Sequence, residues 1–171
     1  KGAMSKAILL LEDGRHFMGI PFGADGEVLG EVVFNTGMCG YQEVLTDPSY
    51  KYQIVTMTYP MIGNYGINPT DIESSNVHVS GFVVKEYSKS YSNFRASETI
   101  STYLDRHKIT GIEGVDTRAL TQHIRDNGAM RGIISSVDLD VESLTNKVLA
   151  SPRMSGMDLV KDVTTADGYG Y

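Results

Sequence analysis

Apolar residues fall along this chain in two successive regimes. In the first half they come in short runs that predict strands. Residues 7–11 are apolar throughout and are followed by Glu12-Asp13-Gly14. Asp-Gly favours a two-residue hairpin turn, so 16–22 reads as the returning strand. A third strand is predicted over 31–34. Residues 35–41 hold two glycines and read as a loop, and 42–45 as a short helix ended by the Asp47-Pro48 turn. The β-branched and apolar stretch 53–59 predicts a strand. Residues 60–70 carry Gly63, Gly66, two asparagines and two prolines and predict a long ordered loop. The next strand is 77–87, apolar on both sides of Gly81.

The second half turns helical. Residues 98–108 predict a helix with Ser97 as N-cap and Ile100, Tyr103 and Leu104 on one face. Residues 117–127 predict another, capped by Asp116, stopped at Asn127-Gly128 and buried along Leu120 and Ile124. A strand over 130–136 and a helix over 141–150 follow, the latter capped by Asp140 and stopped before Pro152. Strands mainly first and helices mainly second predict a layered α/β domain rather than an alternating doubly wound sheet. There is no internal repeat and no low-complexity segment.

Composition narrows the function classes. The 171 residues are 41% hydrophobic and 21% charged, ordinary for a globular domain. A net charge of −6 and the lack of a Lys/Arg run argue against a nucleic-acid partner. No apolar stretch of about 18 residues predicts a membrane span. The single cysteine, Cys39, rules out an intrachain disulfide and disfavours a thiolate zinc site. These features predict a cytoplasmic protein. Residues 1–3 read as an expression scar before Met4.

Four pieces of candidate chemistry remain. Gly37-Met38-Cys39-Gly40-Tyr41 approaches a nucleophile elbow but has Tyr41 where the final glycine belongs. A thiol nucleophile also needs a base, and His16, His78, His107 and His123 show no triad spacing with a carboxylate. Cys39 is therefore read as a structural thiol and no residue as catalytic. No His-x-x-x-His or Cys-x-x-Cys pair predicts a metal site, and none is expected. Gly19, Gly23, Gly26 and Gly30 make no phosphate-binding fingerprint and read as turn glycines. The loop Leu45-Thr46-Asp47-Pro48-Ser49-Tyr50 admits two readings. Asp-Pro turn chemistry explains it, and so does a ligand-facing loop whose hydroxyl and carboxylate fix a polar small molecule.

Several stretches carry a family resemblance. Glu31-Val-Val-Phe-Asn-Thr-Gly-Met-Cys-Gly-Tyr-Gln-Glu-Val-Leu-Thr-Asp-Pro-Ser-Tyr50 and Gln53-Ile-Val-Thr-Met-Thr-Tyr-Pro-Met-Ile-Gly-Asn64 resemble the signature stretches of the carbamoyl phosphate synthetase small chain. So do Glu73-Ser-Ser, Ser92-Asn-Phe-Arg95, Gly114-Val-Asp-Thr-Arg-Ala-Leu-Thr121 and Gly156-Met-Asp-Leu159. The resemblance implies an N-terminal domain over 4–165, with a three-layer β/β/α fold of the swivelling type. Residues 166–171 would then begin a linker to an amidotransferase domain beyond this sequence. It implies docking on a large subunit that uses ATP and magnesium, with no cofactor in this chain. It also implies that Ser49 contacts glutamine in a cleft whose triad belongs to the amidotransferase domain. The whole enzyme would make carbamoyl phosphate from glutamine, bicarbonate and ATP for arginine and pyrimidine biosynthesis. Many relatives carry a hydroxyl residue where this chain has Cys39, which fits a non-catalytic thiol. The rival readings are a self-sufficient thiol hydrolase built on Cys39 and a free-standing ligand-binding module.

Overall fold

The computed structural model describes residues 5–37, 41–58, 77–85 and 100–152. The elbow around Cys39, the 60–70 loop, the Ser97 cap and the 166–171 linker lie outside the described residues. Seven strands follow in chain order: β1 (Ala7–Leu11), β2 (His16–Gly23), β3 (Glu27–Asn35), β4 (Gln53–Met57), β5 (Gly81–Val83), β6 (Thr110–Glu113) and β7 (Met130–Ser135). The helices are α1 (Tyr41–Leu45), α2 (Ile100–Arg106), α3 (Thr117–Asn127) and α4 (Val141–Ala150). The strands close into a barrel in the order β1-β2-β6-β5-β4-β3-β7, with β7 pairing back onto β1. Four consecutive staves, β3, β4, β5 and β6, run parallel, and the other pairings are antiparallel.

The α/β class and the division into a strand-rich first half and a helix-rich second half hold. The sheet layers expected from the resemblance are walls of one closed sheet. Alternation along each strand sorts the core into an inside and an outside. Leu9, Leu11, Val32, Ile54, Val83, Ile112 and Ile134 point inward and pack with Leu120 and Ile124 of α3, which stops one mouth of the barrel. Val55, Met57, Phe82 and Val84 point outward and pack beneath Ile100, Tyr103 and Leu104 of α2 and Val44 and Leu45 of α1. Ile8, Leu10 and Ile133 meet Leu144 and Val148 of α4 on another outer face.

Several boundaries differ from the sequence reading, each for a local reason. The β1–β2 turn holds three residues rather than two. The Leu11 amide donates to the Arg15 carbonyl and Gly14 N to Leu11 O, both at 2.8 Å, and Gly14 adopts φ 93°. That is the three-residue hairpin solution, with glycine in the left-handed position. Strand β3 begins four residues early because Glu27 to Gly30 pair with β7. Gly19, Gly23 and Gly30 are strand residues rather than turn glycines, and Gly26 alone of the four lies between strands. A Cβ on Gly19 would sit 2.3 Å from the Glu113 carbonyl oxygen, so close strand approach is what glycine supplies there. Strand β5 is shorter than expected, and Val79 contributes only an isolated bridge to Lys51. Strand β6, Thr-Gly-Ile-Glu, escapes pattern reading because it holds one large apolar residue. It is a strand because β2 and β5 pair with it on both sides.

Candidate functional site

Ser49 sits on a short 3₁₀ turn, Pro48–Tyr50. Asp47 is its N-cap, in extended backbone, and its carboxylate accepts from the Ser49 amide at 2.9 Å. Proline at the first position fixes φ, and the capping carboxylate satisfies an amide that the turn leaves free. The Tyr50 amide donates to Asp47 O and the Lys51 amide to Pro48 O, closing the turn. Tyr50 then ties it to the barrel, since its hydroxyl accepts from Asn35 Nδ2 at 2.8 Å. Asn35 ends β3, and its carbonyl accepts from the Thr58 hydroxyl just past β4. The turn thus leads into the amino end of β4 and is tied through the Tyr50 hydroxyl to the carboxyl end of β3. Ser49 is exposed, and its hydroxyl makes no hydrogen bond among the described residues. The capped-turn chemistry of the sequence reading is thus present, and the Ser49 side chain is exposed on it.

His107 packs edge-on against Tyr103 with ring centroids 4.7 Å apart. His123 meets a carboxylate that no sequence spacing pointed to. Its Nε2 lies 2.6 Å from Asp13 Oδ2, a partner 110 positions away in the β1–β2 turn. No sequence spacing could reveal a pair made by packing α3 against that hairpin. Burial works against ionisation of Asp13, but the Arg15 amide and His123 outweigh it and hold its carboxyl below the ordinary value. The other ring nitrogen of His123 faces Arg15 Nη1 and Asn127 Nδ2, each at 3.5 Å, rather than a nucleophile. The pair is a structural clasp. Among the described residues no group of three His, Cys, Asp or Glu could hold a metal ion, and no helix is long and apolar enough to cross a membrane.

Sequence reading missed one feature. A cavity of about 530 Å³ opens where β3, β4 and β5 end, beside the first turn of α3. Its lining comes from four separate segments, so no one stretch of sequence describes it.

The model of the carbamoyl-phosphate synthase small chain, CPSase domain, matches residues 9–134. The carbamoyl phosphate synthase small chain of Syntrophotalea carbinolica is 62% identical over 164 residues, which is 96% of this chain and 44% of that protein. The chain belongs to the carbamoyl-phosphate synthase small-chain family. The small chain of Aquifex aeolicus is 55% identical over 95% of this chain, and that of Thermotoga maritima 58% over 90%. This small-chain domain spans about 44% of the length of the Syntrophotalea and Aquifex relatives. The motif resemblance therefore stands. The matched residues run from within β1 to within β7 and take in the five strands between them and the Ser49 turn.

Proposed function

We propose that this domain is the non-catalytic, large-subunit-docking part of a glutamine-hydrolysing carbamoyl phosphate synthetase, and that it lends one wall to the glutamine cleft. Ser49 carries the reading: in a chain of this family, it holds an unengaged hydroxyl outward on a capped turn anchored to the barrel. A rigid turn of this kind presents a donor–acceptor group without an ordering cost on binding. The chemistry of glutamine hydrolysis would belong to an adjoining amidotransferase domain of the same subunit. The ammonia would pass to a large subunit that uses bicarbonate and ATP, with magnesium, to form carbamoyl phosphate. The product would feed arginine and pyrimidine biosynthesis in the cytoplasm. The relatives' name, small chain, supports the larger partner.

The test is Ser49→Ala in the complete synthetase. Losing a hydrogen bond to a charged ligand group costs roughly 1.5–3 kcal/mol, so the KM for glutamine rises at least about tenfold. Ammonia-driven synthesis stays near the parent rate. Unchanged glutamine kinetics would remove Ser49 from the cleft.

A further inference from the structure

We propose that the cavity at the carboxyl ends of the parallel strands is a binding site for a phosphoryl group, free or carried on a small molecule. It is a site distinct from the Ser49 turn. Thr36 follows β3, Thr58 follows β4 and Lys85 lies just past β5, while α3 contributes Thr117, Arg118 and Thr121. Arg125, one turn further along α3, completes a set of three cations around the opening. Ligands of α/β sheets gather outside the carboxyl ends of parallel strands, where the next helix also presents its free amides.

The opening gathers positive charge in an acidic chain. Against a net charge of −6, no carboxylate among the described residues pairs with Lys85, Arg118 or Arg125. Arg125 instead lies over the Phe34 ring, 5.4 Å from its centroid. Two carboxylates stand near this end of the sheet: Asp116, the exposed N-cap of α3, is engaged by the Ala119 amide at 3.0 Å, and the buried Glu113 ends β6, where the following Gly114 amide donates to Lys85 O at 2.8 Å. Elsewhere among the described residues some cations are matched, Arg131 by Glu12 and Lys147 by Glu27 and Asp138, while Arg15 and Lys51 lie over the Phe17 and Tyr52 rings; what sets the cavity apart is three such cations at one opening.

The second observation is independent of the charges and of the helix end. Thr121 lines the cavity at 7% exposure, and its Oγ1 is buried with no hydrogen-bond partner. A hydroxyl left unpaired in the interior is costly, so native structures rarely keep one without a use. A ligand oxygen would satisfy it. Two guanidinium groups and an ammonium around hydroxyls match the several oxygens and double charge of a phosphoryl group better than the two oxygens of a carboxylate. The volume leaves room for more than the phosphoryl group itself.

The test is an amide NMR titration of this 171-residue chain with inorganic phosphate and with glycerol 3-phosphate, at ionic strength held constant with chloride. Saturable shifts at Thr117, Arg118 and Thr121 are expected with both. Arg118→Gln should weaken binding by about tenfold or more, the usual effect of losing a charge-assisted bond. Thr121→Val should weaken it several-fold while leaving the melting temperature unchanged or raised, because the variant also removes an unsatisfied hydroxyl. Should Arg118→Gln fail to fold, Arg125→Gln and Thr121→Val carry the comparison. Equal shifts with chloride alone, binding indifferent to these variants, or saturation by a tetraglutamate peptide but not by phosphate would each overturn the proposal. The last result would mark a seat for an acidic protein surface. None of these results bears on Ser49, whose readout is glutamine kinetics.

Discussion

Gly19 shows how one residue's chemistry is dictated by a neighbour that sequence does not reveal. In β2 it faces the barrel interior, where the space for a Cβ is taken by the Glu113 carbonyl oxygen at 2.3 Å and Ile112 Cγ1 at 2.7 Å. The clash is with backbone, which cannot rotate away. Gly19→Ala should therefore destabilise the domain by roughly 1–3 kcal/mol, the usual range for overpacking, and lower the urea midpoint accordingly. An unchanged midpoint would mean that β2 and β6 are not held this closely. At the same scale, Ser49 was legible as turn chemistry, because Asp-Pro-Ser specifies a capped turn locally. The clasp of His123 with Asp13 and the cavity around Thr121 were not, since their members meet only through folding.

Among the elements, α4 depends most on titratable groups. Asp138, just before its N-cap, is drawn well below the ordinary carboxyl value, to about 2. The Ser143 hydroxyl, donating at 2.6 Å, is the main cause, followed by the Asp140 amide and Lys147. Lys147 reaches back to Glu27 at the start of β3 as well, and both carboxylates hold its ammonium above the ordinary value, Glu27 foremost. A carboxyl depressed by folding stabilises the native state above its ordinary value, near 3.8, and loses that contribution as pH falls towards about 2. Asp138→Asn should lower the melting temperature at pH 7, and the gap from the parent should close as pH drops through that window. A gap that persists at pH 2 would place the effect elsewhere than in the charge. Helix α4 itself was readable from Asp140 to Pro152, because cap, apolar spacing and stop signal are all local. The short β6 was not, because paired neighbours rather than its own four residues make it a strand.

At the scale of the whole molecule, β7 closes the barrel. It pairs antiparallel with β1 on one side and β3 on the other, joining the chain's first strand to the parallel set. Ile134, its penultimate residue, is fully buried in the barrel interior. Ile134→Ala should cost about 2–5 kcal/mol, as large-to-small core substitutions do. Native-state hydrogen exchange should quicken in β1 and β3 together, since one closed ladder links them. Faster exchange confined to one of the two would show that the barrel opens along a seam at β7.

The sequence by itself determined the α/β class, most helices with their caps and stops, the turn that presents Ser49, and the family. All of these rest on short-range signals: capping residues, apolar period and contiguous motifs. Only the tertiary structure decided that the sheet closes on itself, that Thr110–Glu113 is a strand, and that α3 stops the mouth at the ends of β3 and β4. The cavity belongs to the same class, with cations that no carboxylate among the described residues pairs and with the buried, unpartnered Thr121 hydroxyl. Barrel closure is a condition on seven strands at once, and no single window of residues carries that information.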